Sequence, residues 1–146
     1  MAVMKQKSIK PARDIPYSGG ILMFNPLGTA VAANTLVRAG GVQGGGMSMI
    51  SGAANVRADN ANNGGAVPLF VTKHGIPAGR WGVVLPWKIV TNVDNNALGA
   101  AGTTLYLSDA GVLANSAGTV NRPVGVVLVR SGGAGATDGT TLLYPR

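Results

Sequence analysis

The sequence predicts an all-β protein, either a small β-barrel or a sandwich-like domain, with an extended arm at its N-terminus. Composition gives the first reason. Only 12% of the 146 residues are charged and none is glutamate, whereas exposed helix faces are usually built from Glu, Lys and Gln. The second reason is the 23 glycines, which together with Asn, Thr and Ser suit strands joined by tight turns. Both observations argue against a helical bundle.

The chain is long enough for one domain with a substantial core, and we place that domain at residues 21–146. Residues 1–20 form the arm, because Pro11 and Pro16 each remove a backbone donor and hold the preceding residue away from helical conformations. The arm carries four basic side chains and two apolar anchors, which we take as the candidate residues for partner binding: Lys5, Lys7, Lys10, Arg13, Ile15 and Tyr17.

The net charge of +7 is partly a property of this arm. A basic arm favours a negatively charged partner, either nucleic acid, a membrane surface or an acidic protein face; the alternative is a solvated arm that only aids solubility. No run approaches the ~18 apolar residues of a membrane span, and the run "GGILMF" is too short for a signal peptide. We therefore expect a protein made in the cytoplasm, with no membrane partner.

The first part of the domain carries weak strand signals, limited to two short apolar runs in residues 21–38. Residues 39–65 are so rich in Gly and Asn that they predict a long loop, with one strand at Met47–Ile50, where Met and Ile alternate with Ser. A loop of this length in a compact domain is usually functional or disordered.

Strand signals are strongest after residue 66. The run "VVLPWKIVTNV" is interrupted by Pro86, which predicts a strand that is bent or lies at a sheet edge. "DAG" predicts a tight turn with Gly111 at positive φ. The uninterrupted apolar run Val124–Val129 predicts a strand buried on both faces. The other strand candidates are "AVPLFVTK", "TTLYLS", "VLA" and "TTLLYP".

We predict no catalytic, cofactor-binding or metal-ligating residues. "GVQGGGMS" has the frame of a phosphate-binding loop, but Met47 occupies the position of the essential Lys. His74 is the only histidine, and "KHGIPAG" predicts a solvent-facing turn around it. A Ser, His and Asp triad assembled from scattered residues stays open at this point. Without cysteine, disulfides and thiolate metal sites are excluded. All five carboxylates lie beside turn formers, as turn-building aspartates do: Asp14, Asp59, Asp94, Asp109 and Asp138.

Trp81 and Trp87 are the candidate residues for self-association. Arg80 and Lys88 flank them, so one interpretation is stacking on single-stranded nucleic acid. The interpretation we favour is that the two indoles pack in the core or anchor a protein interface, because no run of basic residues surrounds them. A basic β-barrel that binds nucleic acid is therefore the alternative function, and nucleic acid is the less favoured partner.

Four segments of the second half follow one another in a recognisable order. "GIPAGRWGVVLPWKIVTN" is similar to an I-x-A-G-x-x-G-x-V-x-x-x-G-x-x segment, and "LGAAGTTLYLSDAGVLAN" to A-G-x-x-V-Y-x-x-x-x-G-x-V-T. "RPVGVVLV" is similar to an x-P-V-G-V-A-L strand, and "GTTLLYPR" to a closing strand. Together, across residues 66–146, these segments resemble the bacteriophage capsid decoration, or cement, proteins. The chain departs from that family at Pro86, where a Gly is frequent, and in its longer Gly/Asn-rich segment before residue 66.

The resemblance implies a β-tulip-like domain that binds the outer surface of a phage capsid, through the major capsid protein, and stabilises the shell. It implies homotrimers at three-fold or quasi-three-fold positions and a location in the virion. It also implies no catalysis, no cofactor and no small-molecule substrate. The arm residues named above are then expected to contact the capsid, and Trp81 or Trp87 to be buried between copies.

Overall fold

The computed structural model describes residues 20–52, 56–58 and 68–145. Over these residues the chain is mostly strand, with one 3₁₀ helix at Asn96–Leu98. The predicted all-β class is confirmed, and a closed barrel is present. Apart from Gly20, the arm lies outside the described residues. The same holds for its candidate partner-binding residues: Lys5, Lys7, Lys10, Arg13, Ile15 and Tyr17.

Five strands close into a barrel: β1 (Ile21–Phe24), β2 (Leu36–Gln43), β3 (Gly46–Ser51), β4 (Leu69–Thr72) and β5 (Trp81–Leu85). Their order around the barrel is β1-β3-β2-β4-β5. The first strand closes it, because β1 pairs antiparallel with β5 along its whole length and parallel with β3 on its other edge. The interior is filled by buried apolar side chains, which include Met23, Val37, Met49, Ile76 and Val84.

The remaining strands form a second sheet: β6 (Lys88–Val93), β7 (Thr104–Leu107), β8 (Leu113–Ala114), β9 (Pro123–Val129) and β10 (Gly139–Leu143). Their order is β6-β10-β9-β7-β8, with antiparallel pairing throughout. One face of this sheet packs on β2 and β4 of the barrel. That shared core contains Leu36, Leu69, Val71, Val90, Leu107, Val124 and Leu143. Burial of each such side chain contributes roughly 1.5–3 kcal/mol.

Pro86 marks the corner between the two sheets. The chain leaves the barrel at Leu85, bends through Pro86 and Trp87, and enters the second sheet at Lys88. The prediction was a strand that is bent or lies at a sheet edge. The run forms two strands that meet at a bend, and the second of them, β6, is the edge strand of its sheet. Proline fits here because it has no donor to contribute to a central ladder.

The largest difference between the predicted and the observed fold lies in the Gly/Asn-rich segment, residues 39–65. The strand predicted at Met47–Ile50 is confirmed as part of β3. The prediction of a loop over residues 39–43 is wrong, because those residues belong to β2. Residues 59–65, the last part of the predicted loop, lie outside the described residues.

The glycines of this segment build a β-hairpin instead of a loop. Gly44 and Gly45 both have positive φ and make the turn between β2 and β3, which glycine adopts at little cost. A Cβ on Gly40 would lie 3.1 Å from Cδ1 of Ile50, so the bare backbone of β2 leaves room for that side chain. A strand rather than a helix follows the turn, which excludes a phosphate-binding loop.

The prediction that the run 124–129 is buried on both faces is wrong. Val124 and Val127 are fully buried, but Leu128 and Val129 are 40% and 52% exposed. The reason is that the second sheet packs on the barrel with one face only, so the other face of β9 points outwards. Register irregularities in the pairing with β7 and β10 also break the alternation along β9.

The turn after β7 forms as predicted. Gly111 has φ 80°, its N–H donates to the Ser108 carbonyl (2.9 Å), and the Ser108 N–H donates to the Val112 carbonyl (2.9 Å).

We expect Gly111→Val to lower the free energy of unfolding by about 1 kcal/mol or more, because a β-branched residue resists positive φ. Urea unfolding measures the change. Gly133→Val is the matched control, since that glycine has ordinary φ and a Cβ there would meet nothing within 4 Å. Equal tolerance of the two substitutions would show that the turn does not hold Gly111 in this conformation.

Candidate interaction surfaces

His74, the one imidazole of the chain, is tied to the backbone of its own turn. Its side chain is exposed, as predicted. The Val83 N–H donates to Nε2 (3.3 Å), and Nδ1 lies 2.9 Å from the Gly75 carbonyl oxygen. This arrangement favours the tautomer with the proton on Nδ1. Both ring nitrogens therefore serve the turn, and among the described contacts neither meets a hydroxyl that it could activate.

The described aspartates brace loops, as their sequence neighbours predict. The Asp109 carboxylate accepts from the N–H (2.9 Å) and the hydroxyl (2.6 Å) of Thr119, and Asp138 accepts from the Gly132 N–H (2.9 Å). Asp14 and Asp59 lie outside the described residues. In the part of the chain that the structure describes, no three His or acidic side chains come together as metal ligands.

Asp94 and Asn95 hold the loop before β10 against the end of β6. Asn95 is buried and donates to the Val129 carbonyl (3.0 Å) and the Thr141 hydroxyl (3.1 Å). The Asp94 carboxylate accepts from the Gly135 N–H (2.6 Å), the Asn96 N–H (3.1 Å) and the Ser131 hydroxyl (3.2 Å). These donors, the Gly135 N–H first, hold the pKa of Asp94 below its ordinary value.

A carboxylate whose pKa is lower in the folded than in the unfolded state stabilises the fold at any pH above its unfolded-state pKa. This contribution is lost as the pH falls through its folded-state pKa. We therefore expect Asp94→Ser to lower the free energy of unfolding at pH 5–7, and the difference from the parent chain to shrink below about pH 4. Urea unfolding over a pH series measures this.

The non-titrating control for this prediction is Asn96→Ala. It removes a hydrogen bond to the Ser131 carbonyl in the same loop (3.1 Å), so its cost should not change with pH. A pH-independent difference for Asp94→Ser as well would mean that the charge of this carboxylate adds nothing to stability.

An apolar surface on the barrel, here called the Trp81 face, consists of outward side chains on the paired strands β1 and β5: Leu22, Phe24, Trp81 and Val83. The Phe24 and Trp81 rings pack with centroids 5.4 Å apart. Gly46 on β3 lies under the indole, since a Cβ there would be 2.6 Å from Cη2 of Trp81. The indole is thus held in place yet 43% exposed.

A second apolar surface, here called the Trp87 groove, runs along the edge of the second sheet. It is an open depression of about 480 Å³ lined by Pro86, Trp87, Ile89, Leu142, Tyr144 and Pro145. Trp87 is 58% exposed and Ile89 50% exposed. None of the six lining residues carries a charge. Ile89 pairs with Leu142, and Leu142 pairs with Val126, so the apolar strip continues across three strands.

The cations beside the two indoles differ in their roles. Arg80 is exposed next to Trp81. Lys88 is partly buried, and its ammonium donates to the carbonyls of Lys73 (2.7 Å) and Thr72 (3.4 Å). Burial, and then the nearby charge of Lys73, lower its pKa. Lys88 therefore joins the start of β6 to the end of β4 and is not presented to a phosphate.

The two tryptophans do not form one site, because they lie at opposite ends of β5, one on the barrel and one at the corner. Sequence reasoning missed their neighbours Leu22, Phe24, Ile89 and Leu142 as surface residues. The signal in the sequence is that two apolar residues stand side by side in "KIVTNV" and in "TTLLYP", so that one of each pair faces each side of the sheet. This pattern does not say which face is covered.

Comparison with protein-family models, with curated proteins and with solved structures finds no match for this chain. Among the described residues, no helix has the length and apolar character needed to span a membrane.

Proposed function

We propose that this protein is a structural virion protein that binds the outer surface of a phage capsid, through the major capsid protein, and stabilises the shell. The observation that carries the proposal is the Trp81 face, an exposed apolar surface around a fixed indole, on a domain whose described aspartates and histidine are engaged in turns. The resemblance of residues 66–146 to capsid decoration proteins supplies the class of partner.

Apolar surfaces of this kind usually mark interaction sites, because a monomer rarely leaves large apolar patches in water. Trp81 is a suitable anchor, since Phe24 and the backbone of Gly46 hold the indole before any partner arrives. A side chain that is already ordered loses little conformational entropy on binding. Truncation of an aromatic anchor at the centre of an interface typically costs about 2 kcal/mol or more.

Three copies around a symmetry axis would cover the Trp81 face, and this is the homotrimer that the proposal includes. A closed ring uses the same heterologous contact three times and leaves no copy of the face exposed. Many such units on one shell reinforce one another, because each bound contact raises the effective concentration of the next. Weak contacts of each single copy then suffice to stabilise the particle.

The basic arm supplies the proposed contact with the shell. Lys5, Lys7, Lys10 and Arg13 give it a high density of positive charge, which favours an acidic patch on the capsid exterior.

Replacing these four residues together by Ser should weaken attachment to undecorated shells about tenfold or more, because the charged contacts are lost. Co-sedimentation of the protein with shells over a concentration series measures the affinity. Lys73→Ser is the control, since it removes an exposed cation from the folded domain. Undiminished attachment of the four-residue variant would exclude the arm as the shell contact.

The trimer has its own test. Leu22→Lys places a charge on the Trp81 face at a side chain that is already exposed, so we expect the domain to fold and the copies on decorated particles to separate or be lost. Electron microscopy of the particles shows whether neighbouring copies touch. Val112→Lys, at another exposed apolar residue, should leave the arrangement unchanged. Isolated copies of the parent protein on the shell would refute the trimer and leave the decoration role intact.

A second candidate function, nucleic-acid binding, is favoured by the exposed Arg80 next to Trp81 and by the basic arm. The two functions differ in their response to salt. Binding to DNA or RNA releases counterions, so its affinity falls linearly on a log–log plot against salt. A capsid decoration protein should show little affinity for free nucleic acid at physiological salt while it sediments with shells.

A further inference from the structure

The start of the described chain lies next to the corner that carries Trp87. β1 runs antiparallel to β5, with Ile21 paired to Val84. Continued by one residue, this register places Gly20 opposite Leu85. The arm thus joins the described chain at a point beside Leu85, and Pro86 and Trp87 directly follow Leu85 on the neighbouring strand.

Both stretches of chain that separate Tyr17 from Trp87 are short. Trp87 is two residues beyond Leu85, so at most about 7 Å of extended chain separates them. Tyr17 is three residues before Gly20, which is about 10 Å on the same scale. Tyr17, with Pro16 and Ile15 just before it, thus comes within reach of the Trp87 groove without any long connection.

The chemistry of the groove suits this segment. Its lining is uncharged and combines two aromatic rings, Trp87 and Tyr144, with aliphatic side chains. Aromatic-lined grooves bind proline-containing extended segments, because such segments are already extended and lose little entropy on binding. The segment "IPY" at 15–17 offers an apolar, a prolyl and an aromatic side chain in succession, and Pro16 favours an extended Ile15.

We propose that Ile15, Pro16 and Tyr17 of the chain's own arm bind in the Trp87 groove of the same molecule. A segment tethered by three residues has an effective concentration in the millimolar range, so it occupies its own groove before a second copy can. The basic residues Lys5 to Arg13 then project from a fixed point at the corner. This assigns Ile15 and Tyr17 to the protein's own surface rather than to a capsid, and it does not depend on the proposed function.

The test uses the full chain in solution, without shells. Because the chain has two tryptophans, Trp81→Phe leaves Trp87 as the sole tryptophan reporter. In that background Ile15→Ser with Tyr17→Ser should move the Trp87 emission to longer wavelength and raise its acrylamide quenching constant by roughly twofold, because a bound segment covers much of the ring. Lys7→Ser with Lys10→Ser changes the arm without touching the anchors and should leave both readings unchanged.

Four outcomes decide the proposal. Identical emission and quenching in the anchor variant and its parent would overturn it. So would an equal change in the Lys7 and Lys10 variant, since the effect would then belong to the charge of the arm. Quenching that stays constant over a hundredfold dilution supports binding to the same molecule, whereas stronger quenching on dilution would assign the groove to the arm of a second copy and refute the intramolecular form. Far-ultraviolet circular dichroism checks that each variant is folded.

Discussion

The pairing of β1 between β3 and β5 is the constraint on which the rest of the structure depends. Without it, both neighbours would present an unpaired edge, and such edges invite association with other chains. The pairing also places Met23 in the barrel interior and sets Phe24 beside Trp81. The same four residues therefore close the barrel, fill part of its core and build half of the Trp81 face.

The corner at Pro86 links the position of the second sheet to the closed barrel. The chain passes directly from β5 of the barrel to β6 of the sheet, so the closed barrel fixes where the edge strand of the sheet begins. The shared core then presses one face of the sheet onto β2 and β4 and leaves the other outside. The exposure of Ile89 and the half-burial of Leu142 follow from this one-sided packing, as the exposure of Trp87 follows from the bend.

Local chemistry made much of the fold predictable, and non-local pairing explains the rest. The turn at Gly111 and the bend at Pro86 are predictable because each depends on the backbone preference of a single residue. The β2–β3 hairpin is not predictable in this way. Abundant glycine indicates a loop unless a partner strand provides backbone hydrogen bonds, and the sequence does not show that partner. The sequence also overestimates the burial of β9, because an apolar run does not reveal that the barrel covers only one of its two faces. The sequence predicts Trp81 and Trp87 as contact residues. It does not predict which side chains surround them on the surface, because that depends on strand register.

The closure of the barrel also has a consequence for how the chain folds during synthesis. The partner of Ile21 is Val84, about 60 residues further along the chain, and contacts of such long sequence separation slow folding. β1 leaves the ribosome early, with Leu22 and Phe24 in its sequence, and has to wait several seconds at the usual pace of translation before β5 emerges. During that interval the edge of β1 that β5 later covers stays unpaired, and such edges are prone to associate with other chains. The order of the strands along the gene thus sets a period of aggregation risk that the finished barrel no longer shows.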